Sequence, residues 1–208
     1  MSRPKNQLTD TTPIEEWEYG LIMAKLPEHW RLFYEILWQT GIRLQEGLAI
    51  LKTDLENEGV WIIRTKRSDH PREHLPLTLD LYNRLMSRTR YMRGTRVFQL
   101  SPSGAWLALK KACRSAGVRE TIHPHSFRHS VGYRLSNANL GSKTLLAQAK
   151  IVQRSLGQKR LSSAERYFDP PQVRVTDALK KINEEVKISA PEKTTDILEL
   201  VKKIQKEG

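Results

Sequence analysis

Hydrophobic residues recur at helical spacing along most of the chain. Between 28 and 40, Trp30, Phe33, Tyr34, Leu37 and Trp38 share one helix face, and Gly41 can end that helix. The same pattern predicts helices over about 14–25, 43–51, 79–90, 103–116, 124–136, 143–156, 162–168, 172–186 and 194–206. A mainly helical protein is therefore expected.

The pattern changes between residues 52 and 77. The stretch 60–65 (VWIIRT) is rich in β-branched and aromatic residues, 57–59 reads as a turn, and 74–77 (HLPL) can form another strand. We interpret 52–77 as an antiparallel sheet of two or three strands. The predicted fold class is mainly α with a small antiparallel β-sheet (α+β).

Three parts of the chain follow from this pattern. Residues 1–13 read as an N-terminal extension, 14–170 as a compact domain and 171–208 as a C-terminal helical tail. The last predicted helix is amphipathic and follows a break at Ser189, Ala190 and Pro191; its apolar face holds Ile197, Leu200, Val201 and Ile204.

Charge is concentrated in one part of the sequence. The 208 residues carry a formal net charge of +12, and 84–174 alone holds 18 basic and 3 acidic residues. Such a block favours an anionic partner, nucleic acid above a membrane surface. The only cysteine, Cys113, excludes an intrachain disulfide or a zinc site of paired cysteines. With no apolar run near 20 residues, we expect a soluble, cytoplasmic protein and no membrane partner.

The stretch 123–130 (HPHSFRHS) holds three histidines and an arginine. His125 and His129 stand four residues apart, as two metal ligands on a helix would. However, the stretch contains no acidic residue, and Arg128 would repel a cation. A helix start at Pro124 with surface histidines is the simplest alternative.

Other segments change that interpretation. Residues 40–50 (TGIRLQEGLAI) place Arg43 and Glu46 one helical turn apart, and 155–169 (SLGQKRLSSAERYFD) place Tyr167 nine residues after Gln158. Alone, the first pair is a surface salt bridge and the tyrosine a packing residue. Between them, Lys66 ends the β-rich stretch.

In this order, the segments resemble the catalytic signature of the tyrosine recombinases, the phage integrase family. That signature reads T-G-x-R-x-x-E, a hairpin lysine, H-x-x-R-H, L-G-H or L-G-W, and a tyrosine nine residues later. The resemblance spans about 14–169 and implies that 14–170 is the catalytic domain. It implies a catalytic set of Arg43, Lys66, His125, Arg128, Gln158 and Tyr167, supported from behind by Glu46 and His129.

The implied activity is DNA cleavage and rejoining through a 3′-phosphotyrosine. Arg43 and Arg128 would clamp the phosphate, since guanidinium groups stay charged and bind two oxygens at once. Tyr167 would be the nucleophile, His125 the base for its proton and Lys66 the general acid for the leaving 5′ oxygen. Arg64, Arg67 and Arg72 crowd Lys66, but arginine does not give up its proton. No metal, ATP or other cofactor is expected.

Three departures from the family pattern are present. Gln158 stands where the family has His or Trp, the interval from His125 to Gln158 is about seven residues longer than usual, and only 42 residues precede Arg43. We therefore expect either a short member or a catalytic fragment, with a separate DNA-clamping domain or accessory protein as a partner.

The resemblance implies further partners and leaves alternatives. These partners are double-stranded DNA and other protomers, in a tetramer on DNA, with the C-terminal helix exchanged between protomers or folded back on its own domain. A type IB topoisomerase shares the chemistry, and a DNA-binding regulator without catalysis shares the fold. His123 has no predicted role.

Overall fold

A computed structural model describes residues 12–65, 70–138, 141, 144–165, 167 and 168. Its helices are α1 (Glu16–Lys25), α2 (Glu28–Thr40), α3 (Leu44–Leu48), α4 (Leu79–Tyr91), α5 (Pro102–Ala116), α6 (Pro124–Asn137), α7 (Leu145–Ser155) and α8 (Ser162–Glu165). A 3₁₀ turn, Lys52–Asp54, precedes the sheet. The helices predicted at 172–186 and 194–206, and the C-terminal tail, lie outside the described residues.

The sheet has three antiparallel strands in the order β1 (Leu55–Glu56), β2 (Gly59–Ile63) and β3 (Arg72–Pro76). In its register Val60 faces Leu75 and Ile63 faces Arg72. The prediction of a mainly helical fold with a small antiparallel sheet is confirmed. The two main strands each begin one or two residues earlier than the sequence predicted.

The core is built around α2, whose apolar face is almost fully buried. Phe33, Tyr34 and Leu37 have no exposed surface. The Tyr34 ring lies 4.8 Å from that of Phe127 on α6, and its hydroxyl donates a hydrogen bond of 2.7 Å to the Ala105 carbonyl on α5. The packing of α2 against α5 and α6 therefore fixes the start of α6, where the histidine-rich stretch lies.

Two predicted helices end three residues early in the structure. The helix predicted at 43–51 ends at Leu48, because the backbone beyond it pairs with a distant segment: the Val97 amide donates to the Ile50 carbonyl at 3.0 Å. The helix predicted at 162–168 ends at Glu165. Tyr167 lies in a turn, with its amide on the Ala164 carbonyl and its own carbonyl accepting from the Ser136 hydroxyl.

Among the described helices, none is long and apolar enough to cross a lipid bilayer.

Candidate active site

The start of α6 is fixed by the histidine for which the sequence indicated no role. The His123 Nδ1 accepts from the Ser126 amide, and the Ser126 hydroxyl accepts from the His123 amide, both at 3.1 Å. This reciprocal capping satisfies two amides at the helix end. Pro124, which has no amide proton, suits the first helical position. His123 is therefore a helix cap, and it sets the direction in which the following side chains point.

Arg128 lies in the second turn of α6 and is 2% exposed. Its Nη1 donates to the Gly41 carbonyl at 2.7 Å, and its Nη2 donates to the Leu156 carbonyl. Burial, followed by the neighbouring charge of Arg43, lowers the pKa of Arg128 to about 10, so the group stays charged at neutral pH. Within the described part of the chain, no carboxylate forms an ion pair with it. Arg128 thus stays charged while the carbonyls of two turns hold its guanidinium.

The first of these turns contains Gly41, which ends α2 in the left-handed conformation at φ 65°. A Cβ atom there would lie 2.8 Å from Leu156 Cδ2 and 3.1 Å from Val131 Cβ. Only glycine therefore allows this turn to approach α6 and the second turn closely. The approach brings the carbonyl of Gly41 to Arg128 and places Arg43 two residues later.

Arg43 is the N-cap residue of α3 and is held by Glu46. Its amide donates to Glu46 Oε2 at 2.9 Å and its Nη1 to Glu46 Oε1 at 2.8 Å. The Glu46 side chain is fully buried, whereas that of Arg43 is 18% exposed. Glu46 therefore orients a guanidinium that still reaches solvent.

The second turn, after α7, carries Leu156, Gly157 and Gln158. Gly157 adopts φ 57°, and its amide donates to the Arg154 carbonyl at 2.8 Å. The side-chain Oε1 of Gln158 is buried and accepts no hydrogen bond from the described residues. Turning the carboxamide by 180° would put its Nε2 donor at the same place. A donor there is what a phosphate oxygen requires.

Tyr167 is 8% exposed and packs in a small second cluster with Val131, Val152, Leu156 and Ala164. Its ring lies flat over Gly132 on α6, where an added Cβ would be 2.5 Å from Tyr167 Cζ. The hydroxyl lies 3.4 Å from His129 Nδ1. The tyrosine therefore rests against the same helix that presents Arg128.

The two histidines near Tyr167 differ in their contacts. His129 is 4% exposed, and its Nδ1 lies 3.4 Å from the phenol oxygen, whereas the sequence assigned the proton of Tyr167 to His125. The rings of His125 and His129 are 4.6 Å apart and nearly perpendicular. Burial of the ring, followed by positive neighbours of which His129 is the strongest, lowers the pKa of His125 to about 3.

One open cleft of about 340 Å³ is lined by Arg43, His125, Arg128, Gln158 and Tyr167, among others. Five of the six predicted catalytic residues lie on it, together with four residues that the sequence analysis did not single out: Gly157, Lys159, Arg160 and Ser163. The described lining includes four lysines and arginines and no acidic residue. Lys159 and Arg160 directly follow the L-G-Q motif, so a run of basic residues after this motif was the available signal.

The sixth predicted residue, Lys66, lies outside the described residues and stays a prediction. The structure does locate two of the arginines near it. Arg64 is fully buried and does not line the cleft. Arg72 is on β3, where its Nη2 donates to Asp54 Oδ1 at 3.0 Å and its guanidinium lies 4.9 Å from the centre of the Trp61 ring. Both are engaged elsewhere.

Metal binding was the alternative for the histidine-rich stretch. Among the described residues, no group of three or more His, Cys, Asp or Glu side chains is placed to hold a metal ion. Instead, His123 caps α6, His125 lines the cleft and His129 contacts Tyr167.

Known proteins match this chain in sequence and in fold. The profile of the Phage integrase family matches residues 14–172. The chain is 30% identical to the tyrosine recombinase XerC of Rickettsia prowazekii over 141 residues, which are 64% of this chain and 44% of that protein.

Two solved structures show the fold. One is XerH site-specific recombinase bound to palindromic difH substrate in a post-cleavage complex, with a TM-score of 0.64 at 18% identity, covering 84% of this chain and 55% of that one. The other is the catalytic domain of bacteriophage HP1 integrase, with a TM-score of 0.59 at 16% identity, covering 81% of this chain and 94% of that one.

Proposed function

The chain belongs to the phage integrase family of tyrosine recombinases, and we propose that it cuts and rejoins double-stranded DNA through a covalent phosphotyrosine. One observation carries the proposal: Arg43, Arg128 and Tyr167 face the same cleft. Two guanidinium groups beside a tyrosine hydroxyl suit transfer of an anionic phosphodiester to that hydroxyl. The basic lining of the cleft suits the approach of a polyanion.

In the proposed cleavage step, Tyr167 Oη attacks the scissile phosphorus and a new P–O bond forms. The bond from phosphorus to the 5′ oxygen breaks, leaving a 3′-phosphotyrosine and a 5′-hydroxyl. The reverse step, with a 5′-hydroxyl as the attacking group, releases Tyr167 and reseals a strand. Because the phosphodiester energy is retained in the phosphotyrosine, no nucleotide is consumed.

Arg43 and Arg128 would stabilise the negative charge that gathers on the equatorial oxygens during transfer. Gln158 would donate its Nε2 hydrogen to a non-bridging oxygen, as His or Trp does in the family pattern. Lys66 remains the proposed donor of a proton to the leaving 5′ oxygen, because no arginine near it can do this at neutral pH.

His125 and His129 are the proposed acceptors of the phenolic proton of Tyr167 during its attack on phosphorus. The His129 Nδ1 lies 3.4 Å from the phenol, which is longer than a normal O–H···N hydrogen bond. Such contacts tighten when substrate is bound. His125, which faces the cleft, would accept the proton or bind the phosphate once the phosphate has offset the charges of the arginines.

Double-stranded DNA is the proposed partner, by analogy with the XerH complex, which contains its difH substrate. The chain spans about half the length of the curated relatives that it matches. We therefore propose that a further DNA-clamping domain or an accessory protein completes the grip on DNA. Assembly of several protomers on one DNA site, through exchange of the C-terminal helix, is part of the same proposal.

The decisive experiment captures the covalent intermediate even while the target sequence is unknown. The 208-residue chain is incubated with nicked duplexes whose central sequence is randomised, so that a short 5′-terminal fragment diffuses away after cleavage. Adducts that survive denaturation are recovered, and their DNA is sequenced. We expect the wild-type chain to enrich one sequence and the Tyr167→Phe variant to give no adduct.

Other outcomes separate the alternatives. An adduct formed by Tyr167→Phe would place the nucleophile elsewhere. Sequence-specific binding without any adduct would identify a DNA-binding regulator. Relaxation of supercoiled plasmid without strand exchange between two selected sites would identify a topoisomerase.

A further inference from the structure

Among the described residues, Arg64 is the largest fully buried side chain, with 0% exposure. A charged guanidinium is rarely buried unless it is paired and hydrogen-bonded, because its desolvation is costly. Arg64 directly follows β2, and its amide donates to the Pro71 carbonyl at 3.1 Å, which closes the base of the hairpin. Lys66 follows two residues later in the sequence.

The Arg64 guanidinium joins three separate segments. Its Nε donates to Glu73 Oε2 on β3 at 2.8 Å, its Nη2 donates to the Ser155 carbonyl at the end of α7 at 3.0 Å, and its Nη1 lies 3.5 Å from Glu46 Oε2. Glu46 is the carboxylate that holds Arg43. Arg64 is thus linked to a cleft residue through one intermediate side chain.

Arg64 also supports the turn that carries Gln158. The guanidinium lies against Gly157, where an added Cβ would be 2.6 Å from Arg64 Nε. Gly157 lines the cleft on its other side. The bond to the Ser155 carbonyl fixes the start of the same turn. One buried side chain therefore sets the position of both Arg43 and Gln158.

Charge adds to this geometric role. Arg43 and Arg64 pair with two carboxylates, Glu46 and Glu73, and the charge of Arg128 lies close by, so these five side chains carry a net charge of +1. If a neutral residue replaced Arg64, Glu46 would pair with Arg43 alone. It would then neutralise Arg43 more fully, and Arg43 would stabilise less strongly the negative charge that gathers on the phosphate in the transition state.

We propose that Arg64 is a positioning residue for strand cleavage, which sets the distance and the charge balance between Arg43 and the Gln158 turn. The inference rests on the proposed function. Arg64 does not touch the cleft, so its effect on the phosphate passes through Glu46 and Gly157.

The test measures single-turnover cleavage of the nicked duplex obtained by the selection, at saturating protein. We expect Arg64→Met to cleave about 100-fold more slowly per folded molecule, because a displacement of 1 Å can cost that much. Its affinity for uncleaved duplex should stay within about threefold, since Arg64 is not in the cleft. Arg64→Lys keeps the charge but cannot reach three acceptors at once, and about tenfold slower cleavage is expected.

The matched control is Arg72→Met, in the same hairpin. Arg72 pairs with Asp54 on an exposed part of the sheet. The same loss of an arginine there should leave cleavage within about twofold of wild type, as expected for an exposed ion pair.

A second substrate separates positioning from loss of fold. In a methylphosphonate duplex the scissile group is uncharged and needs less stabilisation by cations. The defect of Arg64→Met should therefore shrink at least about tenfold on this duplex, as a lost charge interaction predicts. Partial unfolding would slow cleavage of both duplexes equally.

A double variant guards against failure to fold. Arg64→Met with Glu73→Met replaces the buried pair by apolar side chains, which often restores stability. We expect this variant to melt near the wild-type temperature and still to cleave slowly. Wild-type cleavage by a folded Arg64→Met or by the double variant would overturn the inference alone, as would an equal defect on both duplexes. Absence of any adduct with the wild-type chain would overturn the proposed function and this inference together.

Discussion

Arg128 and Tyr167 face the same cleft, but they are held in different ways. Arg128 lies on α6, and both ends of its guanidinium donate to carbonyls of neighbouring turns. Tyr167 belongs to a second cluster of five buried residues. Its hydroxyl lies 3.4 Å from His129 Nδ1, and its ring packs against the backbone of Gly132.

This difference suits the proposed reaction. Charges that stabilise a transition state act most strongly when they are fixed in advance, because no reorganisation is then needed. A nucleophile must instead move toward phosphorus and later away from it. We therefore expect a change at Arg128 to lower both the free energy of unfolding and the cleavage rate. A change at the contact between Tyr167 and Gly132 should lower the cleavage rate and leave the free energy of unfolding nearly unchanged.

The largest effect is predicted for Arg128→Lys. Lysine keeps the charge but cannot donate to both carbonyls, so one acceptor is left unsatisfied inside the protein. We expect a loss of about 2 kcal/mol in the free energy of unfolding and a decrease of about 1,000-fold in single-turnover cleavage. Chemical denaturation and adduct formation on the selected duplex measure these two quantities.

Arg134→Lys is the matched control on the same helix. Arg134 donates to the Trp38 carbonyl and lies 4.1 Å above the centre of the Trp38 ring, away from the cleft. It should lose a similar amount of stability but cleave normally. Equal cleavage defects in the two variants would show that Arg128 acts only through the fold.

The next effect is predicted for Gly132→Ala, which places a methyl group where the Tyr167 ring now lies. The ring must shift, and we expect cleavage to fall about 100-fold, as for other displacements near 1 Å. Stability should stay within about 1 kcal/mol of wild type, since alanine is the better helix former by a similar amount.

Gly20→Ala provides the control, because a Cβ on this glycine of α1 would have no neighbour within 4 Å. It should gain stability and cleave as the wild type does. Normal cleavage by Gly132→Ala would mean that Tyr167 does not act from the position seen in the structure.

Arg128 and Tyr167 also show which features of the site could be predicted from the sequence. The resemblance to the tyrosine recombinase signature implied that Arg43, Arg128 and Tyr167 share a site, and all three line the cleft. Nothing in the sequence indicated that Tyr167 rests on Gly132, because this contact depends on how the turn after α8 folds back on α6. The extents of α2, α4 and α5 followed closely from helical periodicity.

Arg64 illustrates the same limit. Its three partners lie 9, 18 and 91 residues away, in segments that only the tertiary fold brings together. On a strand end, an arginine is ordinarily taken for an exposed residue. His123, too, is explained only by the local geometry of the helix start, since histidine is an uncommon helix cap.

A smaller effect is predicted for His125, which lies between the two sides of the site. Its pKa in the folded chain is below the ordinary value of 6.5. Above pH 6.5 the group is neutral in both states and does not change stability. As the pH falls from 6.5 towards 3, the unfolded chain takes up a proton that the folded chain does not, so stability decreases.

The effect should be modest, because the residue is exposed at the cleft. Melting temperatures at about pH 7.5 and pH 5 measure it, with His125→Gln as the comparison: the variant should lose less stability on acidification. In NMR titrations the wild-type His125 ring should stay neutral at about pH 5. Addition of the selected duplex should raise its pKa, because the phosphate offsets Arg128 and Arg43. A ring that titrates near pH 6.5 in the free chain would contradict the prediction.

The smallest effect on the chemistry is predicted for Lys159 and Arg160, which are exposed at the rim of the cleft. If they contact DNA phosphates rather than the reacting one, replacing both by Gln should leave cleavage at saturating duplex within about twofold, because no transition-state contact is lost. Affinity should weaken, and the slope of log affinity against log salt should become shallower by about 1.8, or about 0.9 for each lost phosphate contact. The control, Lys25→Gln with Arg114→Gln, removes the same charges outside the cleft. A lower cleavage rate at saturating duplex would instead show that Lys159 or Arg160 takes part in the reaction. The group of fixed cations that act on the transition state would then include the rim of the cleft.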